Sequence, residues 1–464
     1  MFIDIILFGG TMNIFICGCG KIGRTVIAGL CAEGHDVVAI DNKSTVIEEL
    51  TNTYDIMGIC GNGADCETLQ EAGIEKADLF GAFTDSDELN MLSCFFAKSM
   101  GAKHTIARIR NPEYNDQSLG FMRQQLGLSM SINPEHTLAQ DIFNVLKLPS
   151  AVKIEHFSRR NFEMVELILA PDSDLCGMKL YKIREKYRAS FLICAVQRGE
   201  DIFIPGGQFE LMAGDKIALT ASPSEMGKLL KMLNLIKRRA RSVIILGGGK
   251  TAYYLAKMLS ALGGTSVRII EKNEALCNEL SAELPDAVII HGDGTHRDVL
   301  LEEGIKHADA FVSLSSMDEE NILSSIFASS VNVPKTITKV SRDELLPMAA
   351  RLGLETIVSP SDAASGSILG FVRALENTDG SNIETLYKLM DGKAEALEFS
   401  VAEIPGLTKI PLKSLKFKKN MLIAGIIRGR RAIIPSGDDM IMPGDRVVVL
   451  TADHKLYDLT DTLA

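Results

Sequence analysis

Gly18, Gly20 and Gly23, with Cys19, Lys21 and Ile22 between them and Asp41 standing 18 residues beyond the last glycine, have the types and spacing to hold a phosphorylated ligand. Closely spaced glycines let the main chain turn tightly and bring its N–H groups against an anion, and an acid at that separation accepts hydrogen bonds from sugar hydroxyls. Asp41 would repel a 2′-phosphate, which favours an unphosphorylated ribose. Lys21 lies inside the loop and can add positive charge. A second set follows later in the chain, with Gly247, Gly249 and Lys250, Ala252 at the third glycine position, and Glu271 in place of the aspartate. Asn62 in the first set and Asp293 in the second stand at corresponding places, so two pockets with different ligand preferences are expected.

Such a loop works only between a strand and a helix. Ile14 to Cys17 is an apolar, strand-like run, Lys21 to Glu33 keeps helical apolar spacing, and Asp36 to Ile40 is a second strand-like run. The alternation reads as a βαβ unit with a parallel sheet. The N–H groups at the helix start, which have no partner within the helix, would then face the anion. Further strand-like runs at Gly58 to Cys60, Leu79 to Phe83 and Thr105 to Ile109 extend the sheet to five or six parallel strands.

The chain repeats itself. Ile14–Gly23 corresponds to Val243–Ala252, so that Gly18 and Gly247 lie 229 residues apart. Ile59–Gly73 corresponds to Ile290–Gly304, and Thr84–Asn90 (TDSDELN) to Ser315–Asn321 (SSMDEEN). The repeat continues through Arg198-Gly199 and Gly214-Asp215, which reappear as Arg428-Gly429 and Gly444-Asp445. Between them, alternating runs such as Phe162 to Leu169, Phe191 to Val196 and Lys216 to Thr220 are separated by Gly, Pro and Asp turns. The expected class is α/β: two tandem Rossmann-like, doubly wound parallel-sheet lobes, each followed by a small α+β lobe. The expected bounds are 12–134, 150–232, 241–362 and 384–464, with a helix from Glu225 to Arg241 joining the halves. Met12, directly before the first strand, reads as a better start than Met1.

The rest of the composition narrows function. A net charge of −11 disfavours nucleic acid as a partner, and the basic cluster Lys237, Arg238, Arg239 and Arg241 reads as a solvated helix end, a membrane-surface or partner contact being the alternative. Nine cysteines without C-x-x-C spacing suit neither a disulfide framework nor a zinc site, and they point to reduced thiols. The eight histidines show no metal-ligand spacing, and no apolar run approaches the roughly 20 residues that cross a bilayer. No proton donor or acceptor stands out for hydride chemistry. Tyr253-x-x-x-Lys257 has a dehydrogenase-like spacing, yet it lies on the glycine-loop helix and reads as core tyrosine and solvated lysine. Asp85, Asp87 and Glu88, with Asp318, Glu319 and Glu320 in the second half, read as acids at helix starts, a ligand-edge role being the alternative.

GCGKIG with Asp41, GNGAD-x-x-x-L-x-x-AGI, T-x-S-D-E-x-N and the repeated small lobe, together with their counterparts in the second half, give the chain a family resemblance. It resembles the TrkA family, the peripheral subunits of Trk-type potassium uptake systems. Each half is similar to a regulator-of-potassium-conductance domain, a Rossmann N-lobe followed by a C-lobe. The resemblance implies a non-enzymatic regulator that binds NAD(H), with ATP and ADP as further candidates. The implied contacts are Gly18, Cys19, Gly20, Lys21, Ile22, Gly23, Asp41, Asn62, Thr84 and Arg108 in the first half, and Gly247, Gly249, Lys250, Glu271 and Asp293 in the second. The second half departs at Ala252, at Ser315 where the first has Thr84, and at Lys339 where the first has Arg108. Also implied are self-association to a dimer and a tetramer, a membrane potassium-translocating partner, and a place at the inner face of the plasma membrane. An NAD-dependent oxidoreductase, a regulator of another cation transporter and a free-standing nucleotide sensor stay open as alternatives.

Overall fold

The computed structural model describes residues 11–112, 114, 116–158, 161–187, 190–233, 239–376, 382–452 and 455–464. Met1 therefore lies outside the described residues, along with the choice between it and Met12 as a start. The chain divides into two compact units, one of residues 1–142 with 241–369 and the other of 143–240 with 370–464.

In the first unit the N-terminal lobe runs β1 (Asn13–Cys17), α1 (Lys21–Glu33), β2 (Asp36–Asp41), α2 (Ser44–Thr53), β3 (Met57–Cys60), α3 (Cys66–Ala72), β4 (Leu79–Ala82), α4 (Asp87–Ser99), β5 (His104–Arg108), α5 (Asp116–Leu126), β6 (Met130–Ile132) and α6 (Pro134–Lys147). The sheet order is β3-β2-β1-β4-β5-β6, and every pairing is parallel. Ile14, Phe15, Ile16 and Cys17 are all buried, as a central parallel strand covered on both faces requires. The order reverses between β1 and β4, which opens a crevice at the carboxyl ends of the strands.

The second half rebuilds this sheet as β14-β13-β12-β15-β16-β17, from β12 (Ser242–Leu246), β13 (Ser266–Glu271), β14 (Ala287–His291), β15 (Ala310–Ser313), β16 (Lys335–Lys339) and β17 (Ile357–Val358). Its helices are α9 (Lys250–Leu262), α10 (Glu274–Glu283), α11 (Arg297–Glu302), α12 (Asp318–Ser330), α13 (Leu346–Arg351) and α14 (Pro360–Glu376). Each sheet has six strands, within the expected five or six.

The second unit holds two antiparallel sheets. The first is β10-β9-β11-β8-β7, from β7 (Lys153–Phe157), β8 (Phe162–Ile168), β9 (Leu192–Arg198), β10 (Asp201–Phe203) and β11 (Lys216–Ala221), with helices α7 (Leu180–Tyr187) and α8 (Pro223–Met232). The second is β18-β19-β22-β20-β21, from β18 (Asn382–Leu389), β19 (Ala394–Ser400), β20 (Met421–Arg428), β21 (Arg431–Ile433) and β22 (Arg446–Thr451). The repeated Arg-Gly and Gly-Asp pairs now have a structural explanation. The buried Asp215 carboxylate accepts two hydrogen bonds from Arg198 and one from the Met212 N–H, each 2.8 Å, and Asp445 does the same with Arg428 and Met442. A buried carboxylate is costly unless paired in this way, so the motif pins the turn before β11 and before β22.

The expected joining helix is shorter than Glu225 to Arg241. α8 starts at Pro223, capped by the Ser222 hydroxyl, which accepts from the Glu225 N–H at 3.4 Å, and it ends at Met232. Its buried positions Met226, Leu229 and Leu230, with the buried Leu233 just past its end, give it a core-facing stripe. Arg239, Ala240 and Arg241 are not helical, while Lys237 and Arg238 lie outside the described residues.

Candidate functional site

In the first half the crevice is built from four strand ends. Gly18 adopts φ +84°, and an added Cβ would lie 2.6 Å from the Thr84 backbone nitrogen, so the turn after β1 is pressed against the end of β4 and only glycine fits. At Gly23 an added Cβ would meet the Gly18 carbonyl oxygen at 2.2 Å, which lets α1 start directly beneath the loop. Gly20 is the N-cap of α1, with no side-chain cap, no acid in the first turn and open space where a Cβ would point. The start of α1 thus presents uncapped N–H donors and the positive end of a helix dipole toward the crevice.

Asp41 braces this loop from the end of β2. One carboxylate oxygen accepts from the Cys19 N–H at 2.8 Å and the other from the Lys43 N–H at 3.0 Å, while its carbonyl accepts from the Gly61 N–H at 2.9 Å. A carboxylate oxygen has a second lone pair, so each can still accept from a ligand hydroxyl. Asn62 is exposed on the loop after β3, where its side chain accepts from the Ala64 N–H at 3.0 Å. The structure therefore brings Gly18, Cys19, Gly20, Lys21, Ile22, Gly23, Asp41, Asn62 and Thr84 to one edge of the sheet. Arg108 ends β5 at the same edge, but its guanidinium is engaged with Glu135 of α6 at 2.7 Å and lies 3.9 Å from Asp85.

The second half reaches the same geometry with different residues. Gly247 has φ +94°, Gly249 caps α9 without a side-chain bond, and Glu271 accepts from the Gly248 N–H at 2.7 Å and the Asn273 N–H at 2.8 Å. The extra methylene of Glu271 has room because residue 248 is glycine. A Cβ there would lie 3.2 Å from Glu271 Cγ and 2.6 Å from Leu280 Cδ1, whereas the first half carries the smaller aspartate beside Cys19. Ala252 fits, fully buried, where the first half has Gly23. Asp293 is bonded by the Thr295 hydroxyl and N–H, which hold its carboxyl below the usual range. Lys339 donates to the Leu314 carbonyl at 3.1 Å; burial above all lowers it from the usual lysine value, Asp318 opposes, and Lys21 of the first half adds to the lowering.

Two features were missed as parts of the site. Asn90, fully buried, accepts from the Thr84 N–H and hydroxyl at 2.8 and 2.7 Å and donates to the carbonyls of Thr84 at 3.2 Å and Arg108 at 2.9 Å. Asn321 makes the matching bonds to the backbone of Ser315 and Lys339, while the Ser315 hydroxyl donates to the Met317 carbonyl and Glu320. Both asparagines close the repeated T-x-S-D-E-x-N segment, which was the available signal. Asp87 and Asp318 begin helices as expected, but they are buried, and each accepts two backbone N–H bonds from the chain after the fifth strand, Arg110 and Asn111 or Ser341 and Arg342. They pin a loop as well as facing a dipole. Tyr253 is core and Lys257 is exposed, as expected; one helical turn on, the Lys257 ammonium donates to the Tyr253 hydroxyl and sits 4.6 Å from the ring centroid. A further tie joins the halves. The Tyr254 hydroxyl on α9 donates to the Arg110 carbonyl at 2.8 Å and accepts from Asn133 at 3.0 Å, which no repeat pattern announced because Thr25 occupies the matching place.

Two thiols, Cys17 and Cys19, are buried at the crevice. Burial first, and the Asp41 carboxylate second, push Cys17 and Cys19 up to about 12. Among the described residues no group of three or more His, Cys, Asp or Glu side chains is placed to hold a metal, and no helix is long and apolar enough to cross a membrane.

Comparison with known proteins agrees with this arrangement. The TrkA-N domain family matches residues 14–134 and 243–360, and the TrkA-C domain family matches 164–234 and 397–464. Trk system potassium uptake protein TrkA homolog 1 of Methanosarcina mazei is 32% identical over 447 residues, 95% of this chain and 97% of that protein. The TrkA homolog of Archaeoglobus fulgidus is 32% identical over 438 residues, 94% and 97%, and TrkA of Haemophilus influenzae is 28% identical over 450 residues, 96% of each. Among solved structures, the GsuK RCK domain aligns with TM-score 0.64 and 16% identity over 96% of this chain and 93% of its own. The GsuK channel bound to NAD aligns with TM-score 0.63 and 17% identity, covering 96% and 77%. GsuK bound to ADP aligns with TM-score 0.51 and 15% identity, covering 80% and 70%. At such identities these structures establish the fold alone. The named relatives are potassium uptake proteins and not enzymes. With both domain families matched twice and a relative 32% identical across nearly the whole chain, the protein belongs to the TrkA family of Trk system potassium uptake proteins.

Proposed function

We propose that this chain is the peripheral regulatory subunit of a Trk-type potassium uptake system, working at the cytoplasmic face of a membrane-embedded potassium-translocating subunit. Each of its N-lobes holds NAD(H) or an adenine nucleotide such as ATP or ADP. The observation that carries this reading is the glycine loop braced by an acid, built twice in one chain with different residues and the same two N–H bonds to the carboxylate. A nucleotide supplies negative phosphates and ribose hydroxyls here, and no bond of it is broken. The N–H groups of Lys21, Ile22 and Gly23 take the phosphates with Lys21 adding charge, Asp41 takes the ribose hydroxyls, and Asn62, Thr84 and Arg108 border the remainder. In the second half Gly247, Gly249, Lys250, Glu271 and Asp293 do the same. The solved GsuK channel structures with NAD and with ADP support this choice of ligand class.

Regulation then follows from differential binding. A nucleotide shifts a lobe arrangement only as far as it prefers one arrangement over another, about 1–3 kcal/mol per site in typical couplings. Chains that associate as dimers and tetramers add such increments. The four-lobe division at 12–134, 150–232, 241–362 and 384–464 gives one pocket to each N-lobe. The test is potassium flux through the membrane subunit in liposomes, with and without this chain, while NADH, ATP and ADP are varied. Flux that changes with nucleotide only when the chain is present is expected, and nucleotide-independent flux overturns the proposal.

A further inference from the structure

The start of α9, which carries the N–H donors of the second pocket, is tied to the rim of the first pocket by one side chain. Tyr254 lies one helical turn beyond Lys250, and its hydroxyl crosses to the first half, donating to the Arg110 carbonyl at 2.8 Å and accepting from the Asn133 side chain at 3.0 Å. The same Asn133 nitrogen lies 3.4 Å from the Arg110 carbonyl, and the Asn133 side-chain oxygen accepts from the His136 N–H at 2.9 Å. The His136 ring meets the Tyr254 ring edge-on, with 5.1 Å between centroids and 85° between planes. Burial above all pushes the phenol up from its usual value, with the Asn133 bond opposing, so it keeps the proton that it donates.

Arg110 in turn belongs to the first pocket. Its N–H and that of Asn111 donate to the buried Asp87 carboxylate at 2.8 and 2.7 Å, and its guanidinium donates to the Asp85 carbonyl. Asp85 follows Thr84, and Asn90 joins Thr84 to the Arg108 carbonyl two residues before Arg110. A short path of hydrogen bonds and backbone thus runs from Thr84 at the first pocket to the first turn of α9 at the second. The mirrored place is built differently. Thr25 stands where the second half has Tyr254, and its hydroxyl donates to the Lys21 carbonyl of its own helix at 3.1 Å. Ser341 and Ser359 stand where the first half has Arg110 and Asn133.

We propose that Tyr254 is a positioning residue that couples the two pockets: nucleotide in the first orders the rim from Thr84 to Arg110, the rim fixes the start of α9, and the second pocket then binds more tightly. Ordering that one ligand has produced need not be repeated for the next, which makes the cooperativity positive. By linkage, nucleotide in the second pocket favours the first by the same factor. The inference rests on the reading of both crevices as nucleotide pockets.

The test uses the full chain with NADH as the probe. Tyr254→Phe keeps the ring against His136 and removes both hydroxyl bonds. Calorimetry gives the two stepwise association constants of a chain with both pockets, and adding Gly18→Ala or Gly247→Ala leaves one pocket to be measured alone. Asp41→Ala and Glu271→Ala replace the glycine variants if those do not fold. The product of the stepwise constants divided by the product of the single-pocket constants is the coupling factor. It should be at least about fivefold in the wild-type chain and close to one in Tyr254→Phe. A side chain that only supports the fold would weaken every constant and leave the factor alone. An equal factor in both chains, or a factor of one in the wild type, therefore overturns the inference. Hydrogen exchange of the chains without nucleotide gives a second reading: Tyr254→Phe should speed exchange several-fold in segments 109–112 and 250–256 and leave 21–27 as it is. Unchanged exchange in the first two segments overturns the positioning role. Absence of any NADH binding would instead remove the nucleotide reading and the coupling with it, while the exchange result still decides whether Tyr254 holds the two rims together.

Discussion

The paired substitution at the second pocket offers a stringent test of how the loops work. Replacing Gly248 by cysteine, the residue of the first half, places a Cβ 2.6 Å from Leu280 Cδ1 and 3.2–3.3 Å from Glu271 Cγ and Cβ. Leu280 is buried at 3% exposure, so the neighbour most free to yield is the Glu271 side chain. Overpacking of this kind costs about 1–3 kcal/mol, and moving the carboxylate off the Gly248 N–H forfeits a charged hydrogen bond of about 1.5–3 kcal/mol. Since about 1.4 kcal/mol is tenfold in affinity, Gly248→Cys should weaken nucleotide binding at the second pocket by about tenfold or more. Glu271→Asp in the same chain recreates the Cys19 and Asp41 pair, and the first half accommodates it beside Leu50, the counterpart of Leu280. Most of the affinity should therefore return. The assay is calorimetric titration with NADH and with ADP in a Gly18→Ala background, so that only the second pocket reports. Unchanged affinity in Gly248→Cys would show that the carboxylate does not set the pocket. A double variant as weak as the single one would refute the compensation argument.

Three further outcomes are expected. Gly18→Ala forces a Cβ to 2.6 Å from the Thr84 backbone nitrogen at a positive φ, where an L-residue costs roughly 1–2 kcal/mol before any clash, and should abolish binding at the first pocket while lowering the thermal midpoint. Asn90→Ala removes the bridge between Thr84 and Arg108 and leaves buried backbone groups unpaired, for a loss of roughly 2–4 kcal/mol in denaturant unfolding; a loss below 1 kcal/mol contradicts the bridging role. Burial acts to raise the Asp215 carboxyl, but the Arg198 bonds and the Met212 N–H outweigh it and hold the group below the usual range. Its stabilisation is thus complete above the unfolded value near pH 4 and is lost as pH falls through the folded value. Arg198→Gln should cost about 1.5–3 kcal/mol near neutral pH, with the difference from wild type shrinking below pH 4, as followed by unfolding at a series of pH values.

Much of this architecture was legible because the sheet strands and their turns are local. The βαβ reading followed from Ile14 to Ile40, and the duplication carried it to the second half without separate evidence. The Arg-Gly and Gly-Asp repeats announced their importance but not the buried Arg198–Asp215 pair, which joins positions distant in sequence. The joining helix is shorter than the sequence suggests because helical polarity continues beyond Met232, where the helix ends, and does not mark that end. Asn90 and Asp87 were visible in a repeated motif, yet their bonds run to β5 and the loop beyond it, and only folding brings these together. Compensation between Gly248 and Glu271 was invisible for the same reason: each alone reads as a departure, and their side-by-side placement shows that one makes room for the other.

Nucleotide regulation by this chain depends most on two working pockets in each polypeptide. Isothermal titration of the full chain with NADH and with ADP measures this directly. It predicts two molecules of one of these ligands bound per wild-type chain and one per Gly18→Ala chain. No binding of either ligand, or a stoichiometry that Gly18→Ala leaves unchanged, contradicts it.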